Sequence, residues 1–405
     1  MTQLTTVEYD YIQSFIPLYE TRGTRIVSDV YNRLFAANPE IKSYFVNLGL
    51  FTTSLPKFWT LLILDVLSKF PQWQNHALES RLFDELVIKH VSVGFPSEYY
   101  ELIEPYAYGA LASAHHTTVD EHIFHTVFTK LTSLLKEKEE QLCSTLPWKG
   151  FERFQVTGIV QECKSIKSVY FTPVKTKFKL PEVKPGQHIL LKVNLEGEDL
   201  VRDYNLSANT LDNKWRISVR NYNGKVSSYI HGSLKVGDIL DIAAPTGIDV
   251  YDDKFKAAAR SEKLALFAGG LGIFPCVPLI ETALKEKKHV TLFYSSHSYH
   301  HRPFFDWLKD LKRVYHWNFK IREYFTVKPT DFSTDSLSNG VGELDDHPIR
   351  NLDMEYLTSE WDCLIVGPPH YAAFIDQELR KLKVENITTW KLGSVIIDAA
   401  PDPNV

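Results

Sequence analysis

Along the first third of the chain, apolar positions recur every three to four residues, the spacing that gathers them on one face of a helix. Glu8 to Phe35 carries this spacing, and Asn38-Pro39-Glu40 marks a break and a restart with proline in a first turn. Further helical patterns cover residues 57–70, 77–91, 97–113 and 119–142, and Leu146-Pro147-Trp148-Lys149-Gly150 closes the run. From Phe151 the period falls to two. Phe154 to Val160 and Trp215 to Val219 alternate as half-buried strands do, with turns at Lys184-Pro185-Gly186 and Val236-Gly237-Asp238. Short strands of this kind predict a closed antiparallel barrel. A polar stretch from Asp252 to Lys263 follows. Beyond it, Leu264 to Ala268, Val290 to Tyr294 and Cys363 to Val366 read as buried strands with helical stretches between, which predicts parallel βαβ units. Residues 328–360 read as loop-rich, and Asp398 to Val405 as a loose tail.

The expected fold class is therefore multidomain: an all-α domain over 1–147, an antiparallel β-barrel domain over 148–258 and an α/β parallel-sheet domain over 259–405. A length of 405 residues suits two or three cores rather than one. Apolar residues at 44% and charged residues at 23% are those of a globular protein, and a formal net charge of −5 argues against a nucleic-acid partner. The four cysteines, Cys143, Cys163, Cys276 and Cys363, are scattered with no CxxC pair, which is neither a disulfide framework nor a zinc site and suits a reducing compartment. Met1-Thr2-Gln3-Leu4 opens without a basic or apolar leader. The longest apolar stretch, Leu61 to Leu67, is interrupted by Asp65 and falls short of the ~20 residues a membrane span needs. No membrane span and a cytoplasmic location are expected.

The helix from Ala77 places Leu78, Leu82, Leu86 and His90 four residues apart on one face. An imidazole ending an apolar stripe is either a core histidine bonded to a carbonyl or an axial ligand to haem iron, which also needs an apolar wall. Further on, four signatures stand in order: Arg202-Asp203-Tyr204-Asn205-Leu206, Gly224-Lys225-Val226-Ser227, Gly270-Leu271-Gly272-Ile273-Phe274-Pro275 and Val366-Gly367-Pro368. A flavin needs a flat slot and donors for its pyrophosphate, and a glycine turn after a buried strand lets backbone N–H groups approach a dinucleotide.

In this order the signatures resemble the ferredoxin-NADP reductase type of module. Ile16-Pro17-Leu18, the block from Val30 to Phe35, the block from Asn38 to Phe45 and Lys89-His90 resemble the globin domain of flavohaemoglobins. The two resemblances together cover almost the whole chain. They imply haem b, FAD and NAD(P)H as cofactors, with His90 as proximal iron ligand, Tyr31 as distal hydroxyl and Phe45 against the porphyrin. Tyr100 and Glu139 match the pair that orients the proximal imidazole, with Glu140 an alternative one residue on. The family's distal Gln is missing: counting from Phe45 gives Leu55 at its place, counting back from His90 gives Phe58, and Trp59 or Phe58 would crowd the iron. Losing a hydrogen bond there costs about 1–3 kcal/mol.

For the flavin, the resemblance implies Tyr204 against the ring and Arg202 towards the phosphates. Asp203 lies between them, and Asn205 replaces the family's Ser. Gly224, Val226 and Ser227 match a phosphate-cradling turn, and His188 stands in the place of an adenine-side Tyr. In the nicotinamide domain, Gly270, Leu271, Gly272, Ile273 and Pro275 match a G-x-G-x-T-P turn in which Phe274 replaces the Thr, adding a ring where the dinucleotide would lie. Val366 replaces a Cys. The family closes with Glu-Cys-Phe-Gly-Pro, where this chain has Lys391, Leu392, Gly393 and Ser394 after Trp390. The implied activity is that of a nitric oxide dioxygenase, with electrons passing from NAD(P)H to FAD to haem and ferrous-oxy haem oxidising NO to nitrate. The alternative is a haem-binding sensor or ligand carrier with a degenerate reductase, and a third reading keeps both cofactors but reduces a quinone or lipid peroxide. Expected partners are O2, NO and NAD(P)H, with lipid a further candidate, and the chain is expected to be a monomer. His297 to Arg302 lies near where NADH and NADPH are told apart; it reads either as a 2′-phosphate site or as a polar loop, and the loop is the favoured reading.

Overall fold

The computed structural model describes residues 5–46, 54–69, 78–115, 118–175, 177–247, 261–325, 341–343, 354 and 357–391. Leu392, Gly393, Ser394 and the tail from Asp398 lie outside the described residues. The chain separates into two compact units, one of Met1–Phe151 with Asn194–Arg202, the other of Glu152–Val193 and Asp203–Leu392.

The first unit is helical: α1 (Thr6–Gln13), α2 (Ile16–Ala37), α3 (Pro39–Val46), α4 (Ser54–Ser68), α5 (Arg81–Val93), α6 (Tyr99–Ala114) and α7 (Glu121–Thr145). The pattern from Glu8 to Phe35 is two helices rather than one. Ser14 folds its hydroxyl back on the Tyr11 carbonyl, and Pro17, in the first turn of α2, has no N–H to carry the ladder through. Helix α5 begins later than its apolar stripe suggests. The Ser80 hydroxyl accepts from the Phe83 N–H at 3.1 Å, so the cap stands after Leu78, which is buried ahead of the helix. Leu34, Leu62, Phe83, Leu86 and Tyr100 share one buried cluster that joins α2, α4, α5 and α6. Helices α2 and α4 cross closely at Gly23, where an added Cβ would meet Thr60 Cγ2 at 2.4 Å.

After the helices, β1 (Phe151–Cys163), β2 (Ile166–Pro173), β3 (His188–Leu195), β4 (Glu198–Asn205), β5 (Trp215–Arg220) and β6 (Ile239–Ala243) form one sheet, ordered β4-β3-β6-β1-β2-β5. The bridge from Leu206 to Ile217 joins its two ends, so the sheet closes as the alternating pattern predicted. Helix α8 (Lys225–Gly232) follows β5. A second sheet, ordered β10-β9-β8-β7-β11-β12, is parallel throughout: β7 (Lys263–Gly269), β8 (His289–Ser296), β9 (Phe319–Phe325), β10 (Val341–Glu343), β11 (Trp361–Gly367) and β12 (Ile387–Lys391). Helices α9 (Ile273–Lys285), α10 (Phe305–Val314) and α11 (Pro369–Lys381) link these strands. The order reverses beside β7, and such a reversal opens a crevice at the carboxyl ends of the strands.

Barrel and parallel sheet are keyed together. The buried Arg216 guanidinium on β5 lies 4.6 Å from the Phe304 ring centre, while its Nε donates to Ser207 Oγ at 3.1 Å. Asn209 Nδ2 donates to Glu281 Oε2 at 2.8 Å, and Trp307 Nε1 to Glu281 Oε1 at 3.2 Å.

Two outcomes follow from this packing. Gly23→Ala is expected to destabilise the first unit by about 1–3 kcal/mol through overpacking. Adding Thr60→Ala should recover most of that loss in a double-mutant cycle followed by urea unfolding, because the clash is with that one side chain. At the start of β11, Asp362 is buried with Oδ1 lacking a hydrogen-bond partner, and burial pushes its pKa from 3.8 to about 6 despite Lys288 nearby. Since the folded value lies above the unfolded one, the penalty is absent below pH 4 and complete above pH 6. Asp362→Asn should therefore raise the thermal midpoint at pH 8 and leave it unchanged at pH 3.5.

Candidate functional site

Helix α5 delivers His90 to the interior one turn before its end. Gly94, at φ +69°, caps the helix in the left-handed conformation and reverses the chain, so that the Phe95 N–H donates to the His90 carbonyl at 2.9 Å. The Phe95 ring consequently stacks on the imidazole at 4.7 Å between centres and 23° between planes. From α6, the Tyr100 hydroxyl lies 2.6 Å from His90 Nδ1, and from α7 Glu139 Oε1 lies 3.0 Å from the same nitrogen. Tyr100 also donates to Glu139 Oε1. Burial, together with the bond and charge of Glu139, holds the phenol far above its ordinary pKa, so it remains a donor. The Tyr100 proton being committed to Glu139, Nδ1 must carry the proton it shares with these two oxygens. Nε2 is then the lone-pair nitrogen.

Glu139 is buried and Glu140 exposed, so the geometry selects Glu139 from the two candidates. His90 lines an apolar cavity bounded also by Phe83, Leu86, Tyr31 and the inner stripe of α4. Burial keeps the Tyr31 phenol protonated, its pKa being well above the usual value. Neither Leu55 nor Phe58 lines this cavity. Both are packed in the helical core, and the α4 stripe facing the space is Trp59, Leu62, Ile63 and Val66. Phe45 is on α3, where its side chain lies outside the described residues. An imidazole held at Nδ1 by two side chains on an apolar wall is the donor set a haem iron takes, so these residues fit that group. Phe95 escaped the motif reading, although a residue following a helix-ending glycine folds back over the last turn.

In the barrel, Arg202, Asp203, Tyr204 and Asn205 form the end of β4, with Arg202 Nη1 donating to the Val201 carbonyl at 2.7 Å. His188 opens β3, with Nε2 3.7 Å from Asp203 Oδ2 and 3.4 Å from Thr246 Oγ1. Gly224 caps α8, Val226 is buried beneath it, and Ser227 Oγ donates to the Gly224 carbonyl at 3.1 Å while accepting from the Tyr222 N–H at 3.3 Å. That serine stiffens the turn, and the first N–H groups of α8 have no acceptor within the helix.

In the parallel sheet, Gly270-Leu271-Gly272 is a 3-10 turn between β7 and α9. Gly270 is exposed at φ +55°, whereas a Cβ on Gly272 would meet the Val366 carbonyl oxygen at 2.0 Å. Gly272 is therefore glycine because β11 passes beside it. Ile273, Phe274 and Pro275 open α9 and all three are buried. The ring of Phe274, expected in the dinucleotide's place, sits in the core, edge-on to Phe304 at 5.8 Å. The first-turn N–H groups of α9 remain at the carboxyl end of β7. Val366 is buried in register with Trp390, whose ring packs on the same core, and Lys391 ends β12. In the segment from His297 to Arg302, Arg302 turns inward to Glu323 at 2.8 Å, both nearly inaccessible, which agrees with a structural loop.

A helical unit with a prepared imidazole, joined in one chain to an antiparallel barrel and a parallel sheet, defines the class of globin-type proteins fused to a flavin reductase module. The comparisons concur. The oxidoreductase FAD-binding domain family matches residues 154–251. The flavohaemoprotein of Schizosaccharomyces pombe is 32% identical over 95% of this chain and 90% of its own. A crystal structure of a flavohaemoglobin from Malassezia yamatoensis, with bound FAD and haem, shares the fold at a TM-score of 0.75 and 19% identity, covering 97% of this chain and all of that one. The FAD/NAD-binding domain of a nitric oxide dioxygenase from Vibrio cholerae aligns at a TM-score of 0.51 and 24% identity over 60% of this chain and 99% of its own. The chain belongs to the flavohaemoprotein family. Its departures from the family pattern therefore have to be read as packing before they are read as chemistry. On that basis Phe274→Thr is expected to cost about 3 kcal/mol by opening a cavity against Phe304, seen as a lowered urea midpoint, rather than to clear a path for a dinucleotide.

Proposed function

We propose that the protein is an NAD(P)H-dependent nitric oxide dioxygenase, and the observation that carries the reading is the imidazole of His90 held by Tyr100 and Glu139 on an apolar cavity. Haem, when bound, would supply an iron for the reaction of O2 with NO, and FAD, when bound, would supply the conversion of a hydride from NAD(P)H into single electrons. The net change, NO with O2 and one electron to nitrate, lets one hydride serve two turnovers.

Each set of residues has a task in that reading. His90 would hold the iron through Nε2. Glu139 accepts the Nδ1 proton and makes the imidazole a stronger donor, an effect comparable to a charge-assisted bond of about 1.5–3 kcal/mol. The Tyr31 hydroxyl, kept protonated by burial, lines the same cavity and is the proposed donor to a ligand there. The apolar walls exclude water. Tyr204 offers a ring to the flavin, while Arg202 and the N-terminus of α8 meet its phosphates. The turn from Gly270 to Gly272 and the start of α9 take the nicotinamide dinucleotide. Asn205, Phe274 and Val366 stand where a reductase of this type has other residues. Since Phe274 is core, the case for a degenerate module is weaker than the motif comparison made it.

The proposal is open to direct measurement. The purified protein should show a Soret band and about one flavin per chain, and NADH should drive NO consumption. If NADH leaves the haem oxidised while dithionite reduces it, the dioxygenase reading fails and the ligand-carrier reading takes its place. His90→Ala should abolish haem retention, and Glu139→Gln should keep the haem but slow NO turnover by about tenfold or more.

A further inference from the structure

Helix α9 is interrupted close to the turn from which it starts. Pro278 stands inside it without an N–H, so the Phe274 carbonyl one turn earlier has no helical donor, and a proline so placed loosens or kinks the ladder. The first turn, which follows Gly270-Leu271-Gly272, lies ahead of that proline. Its direction is therefore set from outside the helix as well as by the ladder. Two ties hold it, one on each side of the break. Ahead of Pro278, the Phe274 ring packs on Phe304, whose ring centre lies 4.6 Å from the Arg216 guanidinium. From Pro278 onward, Asn209 Nδ2 donates to the Pro278 carbonyl at 3.3 Å and to Glu281 Oε2 at 2.8 Å, while Trp307 Nε1 donates to Glu281 Oε1 at 3.2 Å. Both ties end on one short segment. Arg216 Nε donates to Ser207 Oγ, the Ser207 N–H donates to the Arg216 carbonyl at 2.9 Å, and Ser207 to Asn209 directly follow Tyr204-Asn205-Leu206.

We propose that Asn209 is a positioning residue for hydride transfer: its bonds to α9 fix the turn that takes the dinucleotide against the strand end that takes the flavin. The inference rests on the flavin and nicotinamide reading of those two motifs and adds to it a residue outside both. In the step concerned, a nicotinamide C–H bond breaks and its electron pair passes with the hydrogen to the flavin, which is reduced as NAD(P)H is oxidised. That step needs the two rings in near contact, and a misplacement of about 1 Å costs about a hundredfold in rate. A side chain that sets only the relation of two sites changes the rate of transfer and leaves the affinity of each site in place.

The test uses the full chain purified with its flavin. In Asn209→Ala, reduction of the flavin by NADH should slow about tenfold in stopped flow, as for one lost hydrogen bond. The dissociation constant for NADH should stay within about twofold. The long-wavelength charge-transfer absorption of the reduced flavin with NAD+ should weaken too, since it reports ring-to-ring contact without turnover. Glu281→Gln, which keeps an oxygen for Trp307, is the second variant. Combined with Asn209→Ala it should slow reduction no further than Asn209→Ala alone, because both break the same bond. An unchanged rate and charge-transfer band in Asn209→Ala overturn the proposal, as do additive losses in the double variant. Loss of flavin from Asn209→Ala overturns it as well, because the residue is then structural. Each of these results leaves the proposed function intact, whereas an unmodified protein whose flavin neither NADH nor NADPH reduces overturns both.

Discussion

The imidazole of His90 has its proton fixed from behind, and the rest of the helical unit is organised to keep it so. A buried carboxylate is expensive unless it is bonded, and Glu139 meets that condition by accepting from both Tyr100 and His90 Nδ1. Each of the three comes from a different helix, α5, α6 and α7, so the bonds also lock those helices in register. Gly94 and Phe95 close the arrangement by turning the chain back over the ring. Breaking any one member leaves the others as buried polar groups without partners, which is why the cluster behaves as a unit rather than as three contacts.

The parallel sheet shows how a steric constraint can wear the appearance of a binding motif. Gly272 has no room for a Cβ because the Val366 carbonyl occupies that space. Gly269 and Gly367 are confined in the same way, with the Tyr371 ring 2.8 and 2.6 Å from where their Cβ atoms would lie. A Gly-rich turn is thus demanded by the strand packing whether or not a dinucleotide binds, and only Gly270, exposed with a positive φ, is free of that demand. The same packing turns Phe274 inward, where it meets Phe304, which in turn carries the Arg216 guanidinium of the barrel. A ring in place of a hydroxyl therefore strengthens the join between barrel and sheet.

Much of this was legible in the residues. The change of period at Phe151 marks where helices give way to strands, because periods of 3.6 and 2 are direct consequences of backbone geometry. The placing of His90 on an inner face followed from the same periodicity. What escaped was whatever depends on register between elements. Choosing Glu139 over Glu140 needs the rotation of α7 about its axis, and one residue of slip turns a side chain by about 100°. The distal position failed for a related cause: an insertion between α3 and α5 makes the counts from Phe45 and from His90 disagree. Each count gave a residue that is packed in the core. The burial of Phe274 was not legible either, because alignment with a motif carries over the position of a side chain but not its direction.

The surroundings of His90 are then built on two principles. Behind the imidazole the Tyr100 hydroxyl and the Glu139 carboxylate bond one another and Nδ1 within the protein, which fixes the ring orientation before any ligand arrives. The cavity that the imidazole lines is walled largely by apolar side chains, among them Phe83, Leu86, Leu62, Ile63 and Val66. Bonding on the first side gives rigidity, whereas the apolar walls favour a flat, largely apolar guest and keep water from competing for the imidazole. Orientation and binding are thus supplied by different residues, so the hydrogen-bonded trio can hold its geometry whatever the cavity walls must accommodate.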